Sequence, residues 1–392
     1  MNRRGRRDAV VVGGGVVGAA CALALARQGL DVALVEAREP PRWSPDTPDL
    51  RVYAFAADNA QLLRELEVWD AVAGACVQPY RRMRVWDAAG GGELAFDADA
   101  LGHAQLGWIV ENNLLVDRLW QALPGAGVRL LCPARVESLE QEADGVRLRL
   151  DDGTRLEARI AIAADGADSA LRDMAGIDVR QHDYRQQGVV AFIRTEAPHE
   201  DTAWQRFLAS GPLAVLPFTE GRSSIVWTLP EDEAQRLLAL PAEAFDRELT
   251  QAFEARLGAM QALSARAAFP LRRQLAAAGS SGRVLLLGDA AHVVHPLAGQ
   301  GVNLGLRDVA ALQRTIADAQ SRRIDWDTPH RLRRWARGRH SDNAAAAYAF
   351  DGINRLFSND EMHLTLLRGP LLGLAGRVPG IAAALWRRAA GT

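Results

Sequence analysis

The first residues with chemical potential are three glycines near the amino terminus of the 392-residue chain. Gly13, Gly15 and Gly18 follow the spacing GxGxxG, which is typical of loops that bind a dinucleotide. In such a loop the first glycine allows a tight turn, the second lets a pyrophosphate approach the backbone, and the third lets a helix pack closely on the sheet. Glu36 follows where a carboxylate can accept ribose hydroxyls and repel a 2′-phosphate. These residues predict a site for FAD or NAD rather than NADP.

A second group of residues lies in LLLGDAAHVVHPLAGQGVNLGL, positions 285–306. His292 and His295 stand three residues apart, as metal ligands can. However, no acidic or cysteine cluster accompanies them, and Pro296 separates them from the following glycines. We therefore predict no metal site here and expect the two histidines to order the loop.

The same stretch combines one carboxylate with a bare backbone. Asp289 can hold a hydroxyl of a ribityl chain. The amides from Gly299 to Asn303, at the start of a helix, can stabilise negative charge on a reduced flavin ring. This combination suits FAD better than NAD.

Both glycine-rich stretches are positioned by the same succession of elements. AVVV predicts a short buried strand, the residues around Gly18 begin a helix of small residues, and DVALVE predicts a second strand, which together form one βαβ unit. RVLLLGD predicts another buried strand, followed by a loop and by a helix that begins near Gly301. Helix N-termini carry free N–H groups and partial positive charge, so both helices would direct them at the cofactor.

Further candidate residues lie between these two stretches. Arg51 either reaches a phosphate or the substrate cavity, or is a surface charge. Asp165 and Gly166 end a buried strand, where they either meet a nucleotide or form an ordinary turn. Residues 186–270 are mostly strand-like, which predicts an antiparallel layer covering the substrate. Four aromatic residues of this layer either line an apolar cavity or belong to the core: Trp204, Phe207, Phe218 and Trp227.

The composition excludes some classes of function. The 46 basic and 48 acidic side chains give a net charge of −2, so we expect no nucleic-acid partner. Cys21, Cys76 and Cys132 are far apart and lack CxxC spacing, which is typical of small buried residues in a reducing compartment. No window reaches the roughly 18 uninterrupted apolar residues of a membrane span. The C-terminal segment with Arg387 and Arg388 either lies at a membrane interface or packs on the nucleotide domain.

The motifs together resemble the three fingerprints of the group A flavin monooxygenases, which share the para-hydroxybenzoate hydroxylase fold. The fingerprints are GGGVVG with Glu36, AADGADSALR, and GDAAHVVHPLAGQGVNLGLRD, in this order. PYRRMRVWD, GWIVEN, TAWQRF, GPLAVLP and DNAAAAYAFDGINRLFSND are similar to the hydroxylases of ubiquinone biosynthesis, over essentially the whole chain. Within that branch the chain looks most like the hydroxylases that act at the C6 position of a 2-octaprenyl-3-methyl-6-methoxy-benzoquinol.

The resemblance implies an α/β fold with a Rossmann-like FAD-binding domain, an α+β second layer in which an antiparallel sheet binds the substrate, and C-terminal helices. It assigns residues 1–75, 100–180 and 271–320 to the FAD-binding domain, 76–99 and 181–270 to the sheet domain, and 321–392 to the helical region. The implied FAD-binding residues are Gly13, Gly15, Gly18, Glu36, Arg51, Asp165, Gly166, Asp289, Gly299, Gln300, Gly301 and Asn303. Arg51, Pro296, Gly299 and Gln300 would also line the active site.

The implied reaction uses NAD(P)H and O2 as co-substrates of the FAD. A flavin C4a-hydroperoxide hydroxylates the ring of a prenylated phenol or benzoquinol in ubiquinone biosynthesis, and no side chain is needed as acid, base or nucleophile. We expect a cytoplasmic protein that can associate with the inner membrane, with a biosynthetic complex or with copies of itself. Two alternatives stay open: a hydroxylase of a soluble phenolic compound, and a non-catalytic subunit that keeps the FAD fold.

Overall fold

A computed structural model describes residues 6–88, 90–294 and 301–357. Its strands, in chain order, are β1 (Arg7–Val12), β2 (Val32–Val35), β3 (Val52–Phe55), β4 (Val77–Tyr80), β5 (Arg82–Asp87), β6 (Gly90–Asp97), β7 (Gly107–Glu111), β8 (Arg129–Leu131), β9 (Val136–Gln141), β10 (Val146–Leu150), β11 (Arg155–Ala163), β12 (Val179–Thr195), β13 (Thr202–Leu208), β14 (Gly211–Pro217), β15 (Arg222–Pro230), β16 (Met260–Ala262), β17 (Ala267–Ala276), β18 (Ser280–Ser281), β19 (Val284–Leu286) and β20 (His292–Val293). The α-helices are α1 (Val16–Arg27), α2 (Ala57–Glu65), α3 (Trp69–Ala73), α4 (Asn112–Ala122), α5 (Ala170–Met174), α6 (Glu231–Ala239), α7 (Ala242–Ala252), α8 (Gly301–Ser321) and α9 (Pro329–Phe357).

The first sheet contains the predicted βαβ unit, which is confirmed as β1, α1 and β2. Its central strands are parallel, in the order β19, β11, β1, β2, β8. Both faces of β1 are buried: Ala9 and Val11 pack into the core formed with α1, α4 and α8, while Val10 and Val12 pack into a second core with β10 and β11. Burial on both faces explains why AVVV is an uninterrupted apolar run.

The second sheet follows the order β20, β17, β12, β15, β14, β13, β5, β6 and is antiparallel except where β13 runs parallel to β5. Strands β5 and β6 form an antiparallel hairpin. One face of this sheet packs on α6 and α7 through an apolar core. The opposite face is therefore free to contribute to a site.

A third, smaller sheet in the order β3, β7, β4 lies beside the other two. Helix α8, described from Gly301 onward, packs on α1. The approach is close, because a Cβ on Gly305 would lie 2.5 Å from the Val17 side chain. Across residues 6–88, 90–294 and 301–357, no helix is long and apolar enough to cross a membrane.

Candidate active site

A cavity of about 820 Å³ lies between the first and second sheets. One end is formed by the segments that follow β1, β2 and β11, and the other by β12 to β15 and β17. Ligands of parallel α/β sheets bind at the carboxyl ends of the strands, which is where the first end lies. The cavity brings together eight of the predicted residues: Gly13, Gly15, Glu36, Arg51, Asp165, Gly166, Asp289 and Gly301.

The three glycines of the first fingerprint differ in their surroundings. Gly13 has φ +103°, and a Cβ there would lie 2.2 Å from the carbonyl oxygen of Ala164. A Cβ on Gly18 would lie 1.9 Å from the carbonyl oxygen of Gly13, so this glycine lets α1 pack beneath the loop. A Cβ on Gly15 would meet nothing within 4 Å, because this residue borders the cavity. The N-terminus of α1 therefore has both open space and free N–H groups, a combination that suits the binding of a diphosphate.

Glu36 follows β2 directly and lines the same end of the cavity. Its Oε2 accepts a hydrogen bond from the N–H of Gly14 at 2.5 Å, and its Oε1 accepts one from the N–H of Arg38 at 2.9 Å. These bonds fix the carboxylate beside the glycine loop. A carboxylate has about four acceptor positions, so Glu36 can still accept the hydroxyls of a ribose.

Asp289 lies in the cavity after β19, where Gly288 turns the chain with φ +58°. The carboxylate is open to the cavity but surrounded by protein, and this burial raises its pKa. His292, Arg51 and Arg272 oppose the rise. A carboxylate in such a position is stabilised by a ligand that donates hydroxyl hydrogen bonds to it.

Arg51 is exposed to solvent and borders the cavity. Its carbonyl oxygen accepts a hydrogen bond from the N–H of Asn112 at 2.9 Å, so α4 fixes the backbone before β3. Nearby, burial raises the pKa of Tyr53 to about 12, and the Tyr53 hydroxyl donates to Oδ1 of Asn112 at 3.0 Å. Tyr53 is therefore a neutral phenol at physiological pH, and the nearby Arg51 carries a positive charge.

Asp165 and Gly166 follow β11 and also line the cavity. The Asp165 carboxylate accepts hydrogen bonds from the Ser169 hydroxyl and, at 3.2 Å, from the N–H of Leu171. Burial raises its pKa, and these bonds oppose the rise. Gly166 has φ +89°, so a glycine is required where the chain leaves the strand. The pair thus forms the turn that starts α5 and borders the cofactor space as well.

His292 belongs to a buried polar network. Its Nε2 lies 2.7 Å from Oδ2 of Asp308, and both side chains are almost inaccessible to solvent. Asp308 also accepts hydrogen bonds from Gly288, Arg339 and Asn343. Among the described residues, no group of three or more His, Cys, Asp or Glu is arranged to hold a metal ion. The network ties the Asp289 loop to α8 and α9.

Asn303 is fully buried, and its side chain connects α8 to β3 and α2. Its Oδ1 accepts hydrogen bonds from the N–H of Ala56 at 3.0 Å and from Nδ2 of Asn59 at 2.9 Å. Its Nδ2 donates to the carbonyl oxygen of Ala54 at 2.8 Å. The side chain is therefore engaged with protein, and a contact to the cofactor would have to come from its backbone.

Several predicted residues lie outside the described part of the chain. These are Pro296, Gly299 and Gln300 of the loop before α8, together with His295, and the C-terminal segment with Arg387 and Arg388. Gly301, the next described residue of the chain, lines the cavity.

Two of the four aromatic residues considered as cavity lining or as core lie on the face of the sheet away from the cavity. Trp204 and Trp227 pack into the core beneath α6 and α7, whereas Gln205 and Thr228 line the cavity. Side chains alternate along a strand, so each tryptophan and its neighbour must point to opposite faces. Phe218 lines a separate cavity of about 260 Å³, and Phe207 is buried.

Several polar residues of the cavity were not predicted from the sequence. Gln205 and Thr228 lie on the second sheet, where the alternation of side chains separates two faces without showing which one borders a cavity. Arg272 lines the cavity and forms an ion pair with Asp168 at 2.8 Å. Arg135 lines it as well. Nothing in the local sequence around the two arginines distinguishes them from surface charges.

Comparison with known proteins agrees with this geometry. A family model described as FAD binding domain matches residues 6–334. The chain belongs to this FAD-binding family. Ubiquinone hydroxylase UbiL of Rhodospirillum rubrum is 38% identical over 391 residues, which cover 98% of this chain and 90% of the relative. The 3-demethoxyubiquinol 3-hydroxylase of Escherichia coli K12 is 38% identical over 369 residues, which cover 94% and 93%.

A more distant relative is the human mitochondrial ubiquinone biosynthesis monooxygenase COQ6, 32% identical over 414 residues that cover 92% of this chain and 87% of the relative. The chain therefore belongs to the ubiquinone-hydroxylase branch of the FAD-binding family, as the motifs indicated, and is an FAD-dependent monooxygenase.

Solved structures give the fold. The p-nitrophenol 4-monooxygenase PnpA of Pseudomonas putida superimposes with a TM-score of 0.79 at 18% identity, over 98% of both chains. A Klebsiella pneumoniae HpxO variant complexed with FAD superimposes with a TM-score of 0.73 at 20% identity, over 98% of this chain and 99% of that one. The predicted α/β fold of the para-hydroxybenzoate hydroxylase type is confirmed.

The cavity has the features that FAD requires. Gly15 leaves open space at a helix N-terminus for the diphosphate, and Glu36 lies beside it for the adenosine ribose. Asp289 and Gly301 also line the cavity, and they could contact a ribityl chain and a flavin ring. The donors and acceptors present therefore fit the cofactor of the family.

Proposed function

We propose that the chain hydroxylates the aromatic ring of a prenylated phenol or benzoquinol in ubiquinone biosynthesis, using FAD, NAD(P)H and O2. One observation carries this proposal: a single cavity joins the dinucleotide end, at Gly15 and Glu36, to a largely apolar face of the second sheet. A cofactor bound at the first end could therefore reach a hydrophobic ring held at the second. The names of the relatives from R. rubrum and E. coli support the substrate class.

When bound, FAD would take two electrons from NAD(P)H and insert one oxygen atom of O2 into the ring, while the other atom leaves as water. The chain's own residues bind and orient. The N–H groups at the start of α1 would hold the diphosphate, Glu36 the adenosine ribose, and Asp289 a hydroxyl of the ribityl chain. Helix α8 would direct its free N–H groups from Gly301 onward at the ring, where they stabilise negative charge.

The second sheet would supply a dry surface for the substrate. Val190, Ala214, Leu216 and Val226 line this part of the cavity and exclude water from the reacting ring. Arg51 would approach the FAD phosphates or the ring from the opposite wall. NAD(P)H would come from the side of Asp165 and Gly166, as the resemblance implies.

We further propose the domain division, the preferred substrate and the associations that the sequence indicates. The chain would divide into the FAD-binding, sheet and C-terminal helical parts given above. The preferred substrate would be the 3-methyl-6-methoxy-type benzoquinol, hydroxylated at the one ring carbon that carries no substituent. Because such a substrate partitions into membranes, the protein would work beside the inner membrane or in a biosynthetic complex, with self-association as a further property.

The test is a gene deletion followed by quinone analysis. Cells without the gene should accumulate one under-hydroxylated prenyl quinone, and the identity of that compound gives the ring position. Wild-type protein should restore the normal quinone, whereas a Gly15→Val variant, which blocks the diphosphate space, should not. Normal quinone levels in the deletion strain would contradict the proposal and indicate a soluble aromatic substrate.

A further inference from the structure

The substrate half of the cavity contains two polar side chains on an otherwise apolar sheet face. Strand register places them there. Gln205 on β13 pairs with Ala214, which pairs with Val226 on β15. Thr228, two residues further on β15, pairs with Gly188 of β12. Since side chains two apart on a strand share a face, Gln205 and Thr228 lie on the same surface as Ala214 and Val226.

The neighbours of Gln205 confirm that its side chain faces the cavity. Trp204 packs into the core below the sheet, in edge contact with Trp86. Arg206 points to the same side, where its guanidinium donates to the carbonyl oxygen of Ala252 and pairs with Glu254. Gln205, between them, must therefore project to the opposite side, where it lines the cavity.

Both side chains are buried and lack protein partners within the described chain. Gln205 is 7% exposed and Thr228 is 2% exposed. In residues 6–88, 90–294 and 301–357, neither the Gln205 amide nor the Thr228 hydroxyl forms a side-chain hydrogen bond. Polar groups that face a cavity without a protein partner are usually satisfied by a ligand or by water.

The chemistry of the two groups defines what they would bind. A glutamine amide offers both donors and an acceptor, and a threonine hydroxyl offers one donor and acceptor positions. The surrounding Val190, Ala214 and Val226 offer only apolar contacts. A complementary ligand is a hydrophobic ring that carries a hydroxyl or carbonyl oxygen.

We propose that Gln205, assisted by Thr228, hydrogen-bonds a ring oxygen of the substrate and thereby determines specificity for oxygenated rings. This inference rests on the proposed function, because it concerns the substrate of the same site. Binding of the ring and its hydroxylation can be measured separately, so the inference and the proposed function are tested by different measurements. Neither residue would transfer a proton or an electron.

The experiment compares two probes that differ only in the ring hydroxyl, 2-prenylphenol and prenylbenzene. Each is titrated into the FAD-loaded enzyme, and the dissociation constant is read from the change in the visible flavin spectrum. A net hydrogen bond between neutral groups corresponds to a factor of roughly 2 to 10 in affinity, so the wild type should prefer the phenol by about tenfold if both groups contribute. Gln205→Leu should reduce this preference to about twofold.

Controls separate this effect from damage to the fold. Gln261→Leu changes an exposed glutamine of β16 in the same sheet, and it should leave the preference unchanged. Thr228→Val removes one hydroxyl at constant shape and should lower the preference by a factor of about 2. If Gln205→Leu does not retain FAD, the affinities for the two probes are compared in Gln205→Met and Thr228→Val instead.

Two results would overturn the inference: equal affinity of the wild type for both probes, or an undiminished preference in the folded Gln205 and Thr228 variants. The proposed function is judged by a different readout, the formation of hydroxylated product from 2-prenylphenol with NAD(P)H. If Gln205→Leu loses the preference for 2-prenylphenol while the wild type still forms hydroxylated product, the role of Gln205 is supported. A clear preference without any product would instead count against the proposed function.

Discussion

Replacing Asn303 by alanine tests how the N-terminus of α8 is held at the site. The side chain is inaccessible to solvent and forms three hydrogen bonds, to the N–H of Ala56, the amide of Asn59 and the carbonyl oxygen of Ala54. Asn303→Ala removes all three and leaves the buried Ala56 N–H without this partner. We therefore expect a folded protein that is less stable and binds FAD less tightly.

The expected loss follows from these contacts. Three net hydrogen bonds at about 1 kcal/mol each, plus the cost of an unpaired buried donor, give a decrease of about 3–4 kcal/mol in the free energy of unfolding. That is a large part of the roughly 5–15 kcal/mol of a typical domain. Substitution of Asn113, which forms a hydrogen bond only with its neighbour Asn112 among the described side chains, should cost under about 1 kcal/mol.

Urea unfolding of the FAD-free protein, followed by tryptophan fluorescence, measures both variants against the wild type. A loss below about 1 kcal/mol for Asn303→Ala would refute the reasoning, because it would mean that the connection between α8 and β3 carries little free energy. A loss equal to that of Asn113→Ala would do the same.

Three further predictions concern the cofactor end. Gly15→Val should fold with wild-type stability but bind no FAD, whereas Gly18→Val, with its Cβ 1.9 Å from a carbonyl oxygen, should lower the melting temperature of the FAD-free protein; calorimetry and the flavin spectrum distinguish them. Asp289→Ala should lose FAD, while His292→Ala should be destabilised by about 2–3 kcal/mol yet retain FAD once folded; dialysis followed by flavin quantification decides, and the reverse pattern would contradict the assignment. Burial alone would raise the pKa of Asp308, but His292 and Arg339 together with hydrogen bonds lower it overall, so its contribution to stability is present above the unfolded pKa of about 3.9 and is lost as the pH falls through the folded value. The stability difference between wild type and Asp308→Asn should therefore be constant at neutral pH and shrink in acid, as urea unfolding at several pH values would reveal; a difference that grows in acid would be inconsistent with the network.

The fold and the cofactor end could be predicted from the sequence because their signals are local. Gly13, Gly15, Gly18 and Glu36 lie within a single βαβ unit. Each glycine is predicted where a side chain would collide with the backbone or with a ligand, and the structure shows a collision with the backbone for Gly13 and Gly18. Apolar runs ending in glycine or an acid marked the strands that carry these residues.

The interior contacts could not be predicted because they depend on distant parts of the chain. The backbone amide of Asn303 was predicted to lie near the flavin, but nothing in the local sequence indicates that its side chain reaches Ala54 and Ala56, almost 250 positions earlier. Alternation on β13 and β15 separates two faces without revealing which of them borders a cavity. For that reason Trp204 was considered as lining and Gln205 was overlooked.

The most direct test of the account is the FAD content of the purified protein. Wild-type protein should be yellow, or become so with added FAD, with one flavin bound per chain, and Asp289→Ala and Gly15→Val should remain colourless under the same conditions. A colourless wild type that gains no flavin absorption with added FAD would contradict the assignment of this cavity to the cofactor.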